Sequence, residues 1–330
     1  MFSLIKGIKM SLENKLAEFA AKYNLIYGCG SAEPFDEYRD ILSKQVPFVS
    51  FAPEERIDPS LALKGAKSLI ALGLSYNCRY GEPQGEELCA RLSEGAVGED
   101  YHLVMMRLLD ELAGILFDNT EEKYLCFCDT GPLSDALVAL RCGLGYAGLN
   151  RAVINDRFGS MFFIGYIITT AQLQPDPKPK SRCSGCGICI KNCPSGALKA
   201  NGEFISERCV AYLTQKKGII PDEFKPFMGT YIYGCDICRR VCPLTPRQAE
   251  AKGCAYLWIK ELLSLTNKEF NALYGNTAIG WRGRRTIVRN ALIALGNIGD
   301  KRGIELIKPF LNSENEDLRD AARWAERKMK

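Results

Sequence analysis

Eight of the chain's 15 cysteines lie between Cys183 and Cys242, and their spacing carries more chemistry than anything else in the sequence. Cys183-x-x-Cys186-x-x-Cys189-x-x-x-Cys193-Pro194 is the run of a bacterial two-cluster ferredoxin. Three thiolates two residues apart wrap one face of an iron–sulfur cubane, and the fourth, followed by proline, reaches the other cluster. Downstream, Cys235-x-x-Cys238-x-x-x-Cys242-Pro243 repeats the ending of that run, with its first cysteine displaced to Cys209. The spacing predicts two [4Fe–4S] clusters, one on Cys183, Cys186, Cys189 and Cys242, the other on Cys193, Cys209, Cys235 and Cys238, with one-electron transfer as their work. Two Zn(Cys)₄ sites or a purely structural cluster are the competing readings, although zinc sites usually show two separated CxxC pairs. The other cysteines, at positions 29, 78, 89, 126, 128, 142 and 254, lack ligand spacing. Cys126-x-Cys128 alternates in a strand and reads as buried apolar filling.

Asp129 follows a strand and opens the turn Asp129-Thr130-Gly131-Pro132, the place where α/β folds put ligand-contacting groups. A carboxyl there, beside apolar strands, can hold a proton at raised pKa and release it as a general acid; a helix N-cap is the other reading. His102 is the chain's one histidine, which argues for hydrogen bonding or capping over metal ligation. Arg282, Arg284, Arg285 and Arg289 form a basic group that can grip phosphates or simply solvate a helix face. Residues 177–252 carry 13 Lys/Arg against 6 Asp/Glu, an excess that the thiolates of two clusters partly cancel.

These groups need elements to hold them. Apolar residues at Leu12, Leu16, Phe19 and Tyr23 have helical spacing, and a strand is predicted at Leu25 to Cys29. Lys67 to Tyr76 reads as a buried strand. Asp100 to Phe117 reads as a helix with Leu103, Met106, Leu109, Leu112 and Leu116 on its inner face. Lys123 to Cys128 is predicted as a strand, followed by a helix reaching about Cys142. Two more strands are expected at Ala152–Ile154 and Met161–Thr169. This alternation predicts an α/β domain over residues 1–173. A Pro- and Lys-rich linker then opens the cysteine module, 174–247. Residues 248–330 read as helical, with amphipathic segments at Thr286–Asn297, Gly303–Leu311 and Asp317–Met329 that look like a HEAT-type pair.

At 330 residues with 47% hydrophobic and 25% charged content, the composition is that of a soluble globular protein of two or three domains. A net charge of +4 is too weak by itself to argue for nucleic acid. The first residues lack the apolar core of a signal peptide, and Met10, just before the first helix, offers a second start. The longest apolar stretch, near Met161–Leu173, contains Gly and Thr and is too short to span a bilayer. A reducing cytoplasm, where thiols stay free for metal, is the expected setting.

Several phrases, in order, resemble the tRNA epoxyqueuosine reductases over nearly the whole chain. They are Arg56…Pro59…Gly65-Ala66-Lys67-Ser68, Gly98-x-Asp100-Tyr101-His102, Asp129-Thr130-Gly131-Pro132, Gly143-Leu144-Gly145, Gly159-Ser160-x-Phe162-Phe163-x-Gly165, the cysteine set, Cys209-x-x-Tyr212-Leu213-Thr214, Ile232-Tyr233-Gly234-Cys235-Asp236, and Arg289-Asn290…Ala294-Leu295-Gly296-Asn297. The resemblance implies a corrinoid-binding α/β domain, a bacterial-ferredoxin-like two-cluster module and a HEAT-like tail. It implies cobalamin beside the two clusters, and removal of the epoxide oxygen of epoxyqueuosine in the anticodon arm of queuosine-family tRNA. By the same resemblance Asp129 is the acid, and Asp129, Val153, Ser160, Ile164, Ala211, Cys235 and Asp236 line the corrinoid site. A monomer, no membrane, and an electron donor such as a flavodoxin or ferredoxin complete the expectation. The chain departs from the family pattern at Gly148-Leu149-Asn150, where Gly-Lys-Asn is usual, at Glu94-Gly95 in place of Arg-Tyr, and at Leu244 in place of Trp. Two further readings stay open on those departures: a corrinoid and iron–sulfur reductase of a small organic substrate, and a ferredoxin-like carrier or activator of another corrinoid protein.

Overall fold

The computed structural model describes residues 11–40, 51–76, 79–81, 83, 85–118, 120–247 and 251–330; Met10 and Cys78 lie outside them. Two compact units are interleaved along the chain. One comprises Met1–Ser75, His102–Ala147 and Phe163–Arg182, the other Tyr76–Tyr101, Gly148–Phe162 and Cys183–Lys330. Residues 76–101 and 148–162, which the linear reading keeps with the N-terminal domain, thus group with the cysteine segment.

The first unit is built on a four-stranded sheet in the order Ile26–Ser31, Ser68–Ser75, Phe162–Thr169, Tyr124–Phe127. The outer pairs are antiparallel, from Ile26 opposite Gly73 to Ser31 opposite Ser68, and from Tyr124 opposite Thr169 to Phe127 opposite Tyr166. The run Leu69-Ile70-Ala71-Leu72 is buried without alternation, as befits a strand covered on both faces. Helix Leu12–Lys22 starts where Ser11 accepts the Asn14 N–H, and buries Leu16, Phe19 and Ala20. Helix Tyr101–Phe117 buries Met105, Leu108, Leu109, Leu112, Ala113 and Leu116. The expected stripe is rotated accordingly: Leu103 is 45% exposed. Gly165 explains the fit, because a Cβ there would collide with Met105 and Leu109.

The second unit contains a three-stranded sheet absent from the sequence reading. Cys89–Leu92 lies between Tyr256–Trp258, antiparallel to it, and Tyr231–Tyr233, parallel to it. Helix Arg284–Ile298 is buried along most of its length and packs against helix Glu316–Met329, with Trp324 filling the space beside Gly296. Arg289, 1% exposed, donates to the carbonyls of Lys216, Gly218 and Leu213, and Asn290 donates to those of Thr214 and Ile232. Polar side chains thus pin this helix to the segment that follows Cys209. Among the described residues, no helix is long and apolar enough to cross a membrane.

Candidate cluster and acid sites

The eight cysteines are presented by loops and short helices of the second unit. Cys209 is the N-cap of helix Val210–Gln215. Cys235 follows Gly234, whose φ of 69° and contact with the Ser93 side chain leave no room for a Cβ. Cys238 lies in helix Ile237–Arg240. The thiols fall into two neighbourhoods. Cys189 feels the charges of Cys242 and Cys186. Cys209 feels Cys193, Cys235 feels Cys238 and Cys209, and Cys238 feels Cys209, Cys193 and, across the two groups, Cys189. A cavity of about 200 Å³ is lined by Cys193, Cys209, Cys235 and Cys238 together with Ala211 and Arg239.

Burial pushes the Cys235 and Cys209 thiols up, and that of Cys238 to about 12. Such thiols stay protonated at neutral pH until a cation displaces the proton, as a coordinated metal does. Among the described residues, no three His, Cys, Asp or Glu side chains are drawn together to hold a single metal ion. Four thiols on the wall of one cavity suit a cubane, which takes one thiolate at each of its four irons.

A charged network surrounds the second thiol group. Arg239 donates to the Tyr76 hydroxyl and to the Ser160 carbonyl, both at 2.8 Å, and burial raises the Tyr76 phenol to about 12. Asp236 is pushed up to about 6 by burial, against the pull of Arg239 and Arg91. Its Oδ2 accepts the Glu94 N–H at 2.6 Å. Glu94 itself is 5% exposed and ion-paired with Arg240. The departure from the family pattern at this position therefore places a buried carboxylate against a partly exposed arginine.

In the first unit, Asp129 holds a left-handed backbone conformation, φ 57°, tolerated by Asp better than by most residues. Its carboxylate is 52% exposed, with His102 Nε2 at 3.5 Å from Oδ2. Ser134 is the N-cap of helix Asp135–Arg141, which sets aside the capping reading for Asp129. The Asp129 N–H donates to Asp135 Oδ2 at 2.8 Å. Burial, then the charge of Asp129, holds the Asp135 carboxyl well above the usual carboxylate range. Its Oδ1 is buried with no hydrogen-bond partner among the described residues. Sequence reasoning missed Asp135, which reads as an ordinary acid in a helix first turn; a Ser-Asp pair just after a glycine turn was the available signal.

The residues assigned to the corrinoid divide between the units. Asp129 and Ile164 belong to the first, and Ile164 is partly exposed with its carbonyl facing the Cys128 thiol. In the second, Val153, Ser160 and Asp236 are buried, while Ala211 and Cys235 are partly exposed on the wall of the same cavity. A short side chain such as Ala211, on the cavity wall, suits the approach of a broad flat macrocycle. The basic group near the C-terminus runs from buried to exposed: Arg282 and Arg284 are half-buried and Arg285 is exposed. Arg289 is buried, Arg285 grips Asp317 through a bidentate pair, and Arg282 stacks on Trp281 at 3.9 Å.

Comparison with known proteins bears on both sites. Residues 182–245 match the 4Fe-4S double cluster binding domain, and residues 56–130 match the family described as Epoxyqueuosine reductase QueG, DUF1730. An epoxyqueuosine reductase of Lactococcus garvieae is 34% identical, covering 97% of this chain and 96% of its own. The chain belongs to the epoxyqueuosine reductase family. It is therefore an oxidoreductase with two [4Fe–4S] clusters. An epoxyqueuosine reductase solved with an epoxyqueuosine-modified tRNA-Tyr stem loop superposes with a TM-score of 0.90 at 31% identity, over 96% of this chain and 90% of that one. A Bacillus subtilis epoxyqueuosine reductase, solved with its catalytic aspartate loop swung out of the active site, gives 0.89 at 31% identity over the same shares. The mixed α/β architecture is that of these enzymes.

Proposed function

We propose that the chain removes the epoxide oxygen from epoxyqueuosine in the anticodon arm of a queuosine-family tRNA, yielding queuosine. Both C–O bonds of the epoxide break, a C=C bond forms, and the oxygen leaves as water, which consumes two electrons and two protons. The observation that carries the reading is Asp129: a half-exposed carboxylate beside His102, anchored through its own N–H, in a chain that aligns end to end with epoxyqueuosine reductases.

In this reading Asp129 holds a proton at its carboxyl and passes it to the leaving oxygen. His102, at 3.5 Å, orients that carboxyl, and Asp135 fixes the turn. Cys183, Cys186, Cys189 and Cys242 hold one cluster and Cys193, Cys209, Cys235 and Cys238 the other, a division supported by the two thiol neighbourhoods. Cobalamin, when bound, supplies a centre able to deliver electrons as a pair, which single cubanes do not. Asp129, Val153, Ser160, Ile164, Ala211, Cys235 and Asp236 are the residues that would line its site. The modified base has to be unstacked to reach such a site, as enzymes acting on bases require. The C-terminal helices, read as a HEAT-like pair beside a ferredoxin-like module, would hold the stem by shape and phosphates. The enzyme acts as a cytoplasmic monomer fed by a flavodoxin- or ferredoxin-type donor.

The test is anaerobic purification with iron, sulfide and cobalt counted per chain, followed by assay on an epoxyqueuosine-bearing stem loop by mass spectrometry. Two cubanes, one cobalt and loss of one oxygen from the nucleoside are expected. Zinc in place of iron, or an unaltered nucleoside with fully reduced holoenzyme, overturns the reading.

A further inference from the structure

We propose that the loop carrying Cys186 is the electron-entry port, and that it receives a small acidic one-electron carrier protein. The inference rests on the cluster ligands assigned above and adds where the electron enters and what charge its donor bears.

Of the eight cluster thiols Cys186 alone is exposed; Cys189 is buried and the other six are intermediate. The cluster on Cys183, Cys186, Cys189 and Cys242 therefore comes nearest to solvent at Cys186. Ile188, two residues on, is 37% exposed, an apolar contact point beside the thiol. The charge along this stretch is of one sign. After Asp176 the next carboxylate is Glu203, and between them stand Lys178, Lys180, Arg182, Lys191 and Lys199. Lys178, Lys180 and Lys191 are exposed. Lys180 is three residues from Cys183, so covalent reach keeps it within about 11 Å of that cysteine's backbone. The three exposed lysines alone outweigh the charge of about −2 that a [4Fe–4S]²⁺ core with four thiolates carries. This stretch of chain keeps a net positive charge with its cluster in place.

An exposed apolar side chain on a stretch of like charge is what transient redox partners use: a small interface, steered by opposite charge and quick to separate. At each encounter the carrier's reduced centre loses one electron, and this cluster passes from the 2+ to the 1+ state. Two encounters supply the pair that one epoxide consumes; the protons come separately. Cys189, whose charge is felt at Cys238, marks the onward side toward the second thiol group.

The experiment mixes anaerobic holoenzyme with a photoreduced acidic bacterial ferredoxin and follows bleaching of the cluster absorbance by stopped flow. The wild-type second-order rate constant should fall steeply with added salt. Lys180→Glu combined with Lys191→Glu should lower it by about tenfold or more at low salt and flatten the salt dependence. The milder pair Lys180→Gln and Lys191→Gln should fall between. Reduced methyl viologen, a small radical cation, should reduce every variant at least as fast as wild type, which shows that the clusters are intact. A charge-reversed, iron-loaded variant that takes electrons from the ferredoxin at the wild-type rate and salt dependence overturns the port alone. A wild-type chain that takes up no iron overturns the cluster reading and the port together.

Discussion

The buried carboxyl of Asp135 accepts the main-chain N–H of Asp129 at 2.8 Å, so one acid holds another in place through its backbone while the second side chain stands half exposed beside His102. A non-glycine residue at φ 57° stores about 1 kcal/mol or more of strain, and a buried hydrogen bond to the same residue offsets it.

Asp135→Ala removes that anchor. Turnover of the epoxyqueuosine stem loop should drop by about tenfold or more in kcat, with KM changed far less, because a small misplacement of a proton-delivering group costs rate and not binding. Asp135→Asn, whose amide oxygen can still accept the Asp129 N–H, should recover most of the loss. Equal losses in the two variants would remove Asp135 from any positioning role.

Stability should respond to the same carboxyl. Its folded-state pKa is raised above 3.8 by burial and by Asp129, so the folded state binds the proton more tightly than the unfolded chain. The protonated form's stabilisation is fully present below the unfolded pKa and is lost as pH rises toward the folded value, at about 1.4 kcal/mol for each unit separating the two. Asp135→Asn lacks this loss. Its melting temperature relative to wild type should climb from mildly acidic to neutral pH, and a constant difference would contradict the assignment.

Cys209→Ser and Cys186→Ser should each remove one cluster and spare the other. Iron should fall from about eight to about four per chain, and electron paramagnetic resonance of the reduced protein should lose the magnetic coupling between two neighbouring cubanes. Retention of full iron in both variants would show that the ligand set is drawn wrongly.

Arg289→Ala should destabilise the fold by about 3 kcal/mol or more, since it strips several buried carbonyls of a charged donor. Lysine should not rescue it, because one ammonium cannot copy a planar fork that serves carbonyls at Leu213, Lys216 and Gly218 together. Thermal melts of the three proteins decide the matter, and a wild-type melt for Arg289→Lys would sink the geometric argument.

Much of this was legible in the chain. Cysteine spacing is dictated by cubane geometry, and the double-cluster match over residues 182–245 falls where that spacing put it. The long strands at Ser68–Ser75 and Phe162–Thr169 and the helix Tyr101–Phe117 announce themselves by continuous or periodic apolar runs. Phase was less secure: apolar residues surround that helix, so Leu103 was drawn inward although it faces out. The sheet of Cys89–Leu92, Tyr231–Tyr233 and Tyr256–Trp258 was missed because strands of three or four residues have no readable alternation, and their partners are remote in sequence. Arg289 was grouped with surface cations because composition does not show a buried carbonyl cluster waiting for it. Asp135, Tyr76 and Arg239 take their roles from neighbours that only the fold brings near.

That short sheet also sets an order of events during synthesis. Its middle strand leaves the ribosome about 140 residues ahead of the first partner, a wait on the order of ten seconds at ordinary elongation speed. Through that interval the segment has unpaired edges on both sides, the condition under which nascent chains recruit chaperones or stick to one another. Products truncated before Tyr231 should therefore be sticky and short-lived.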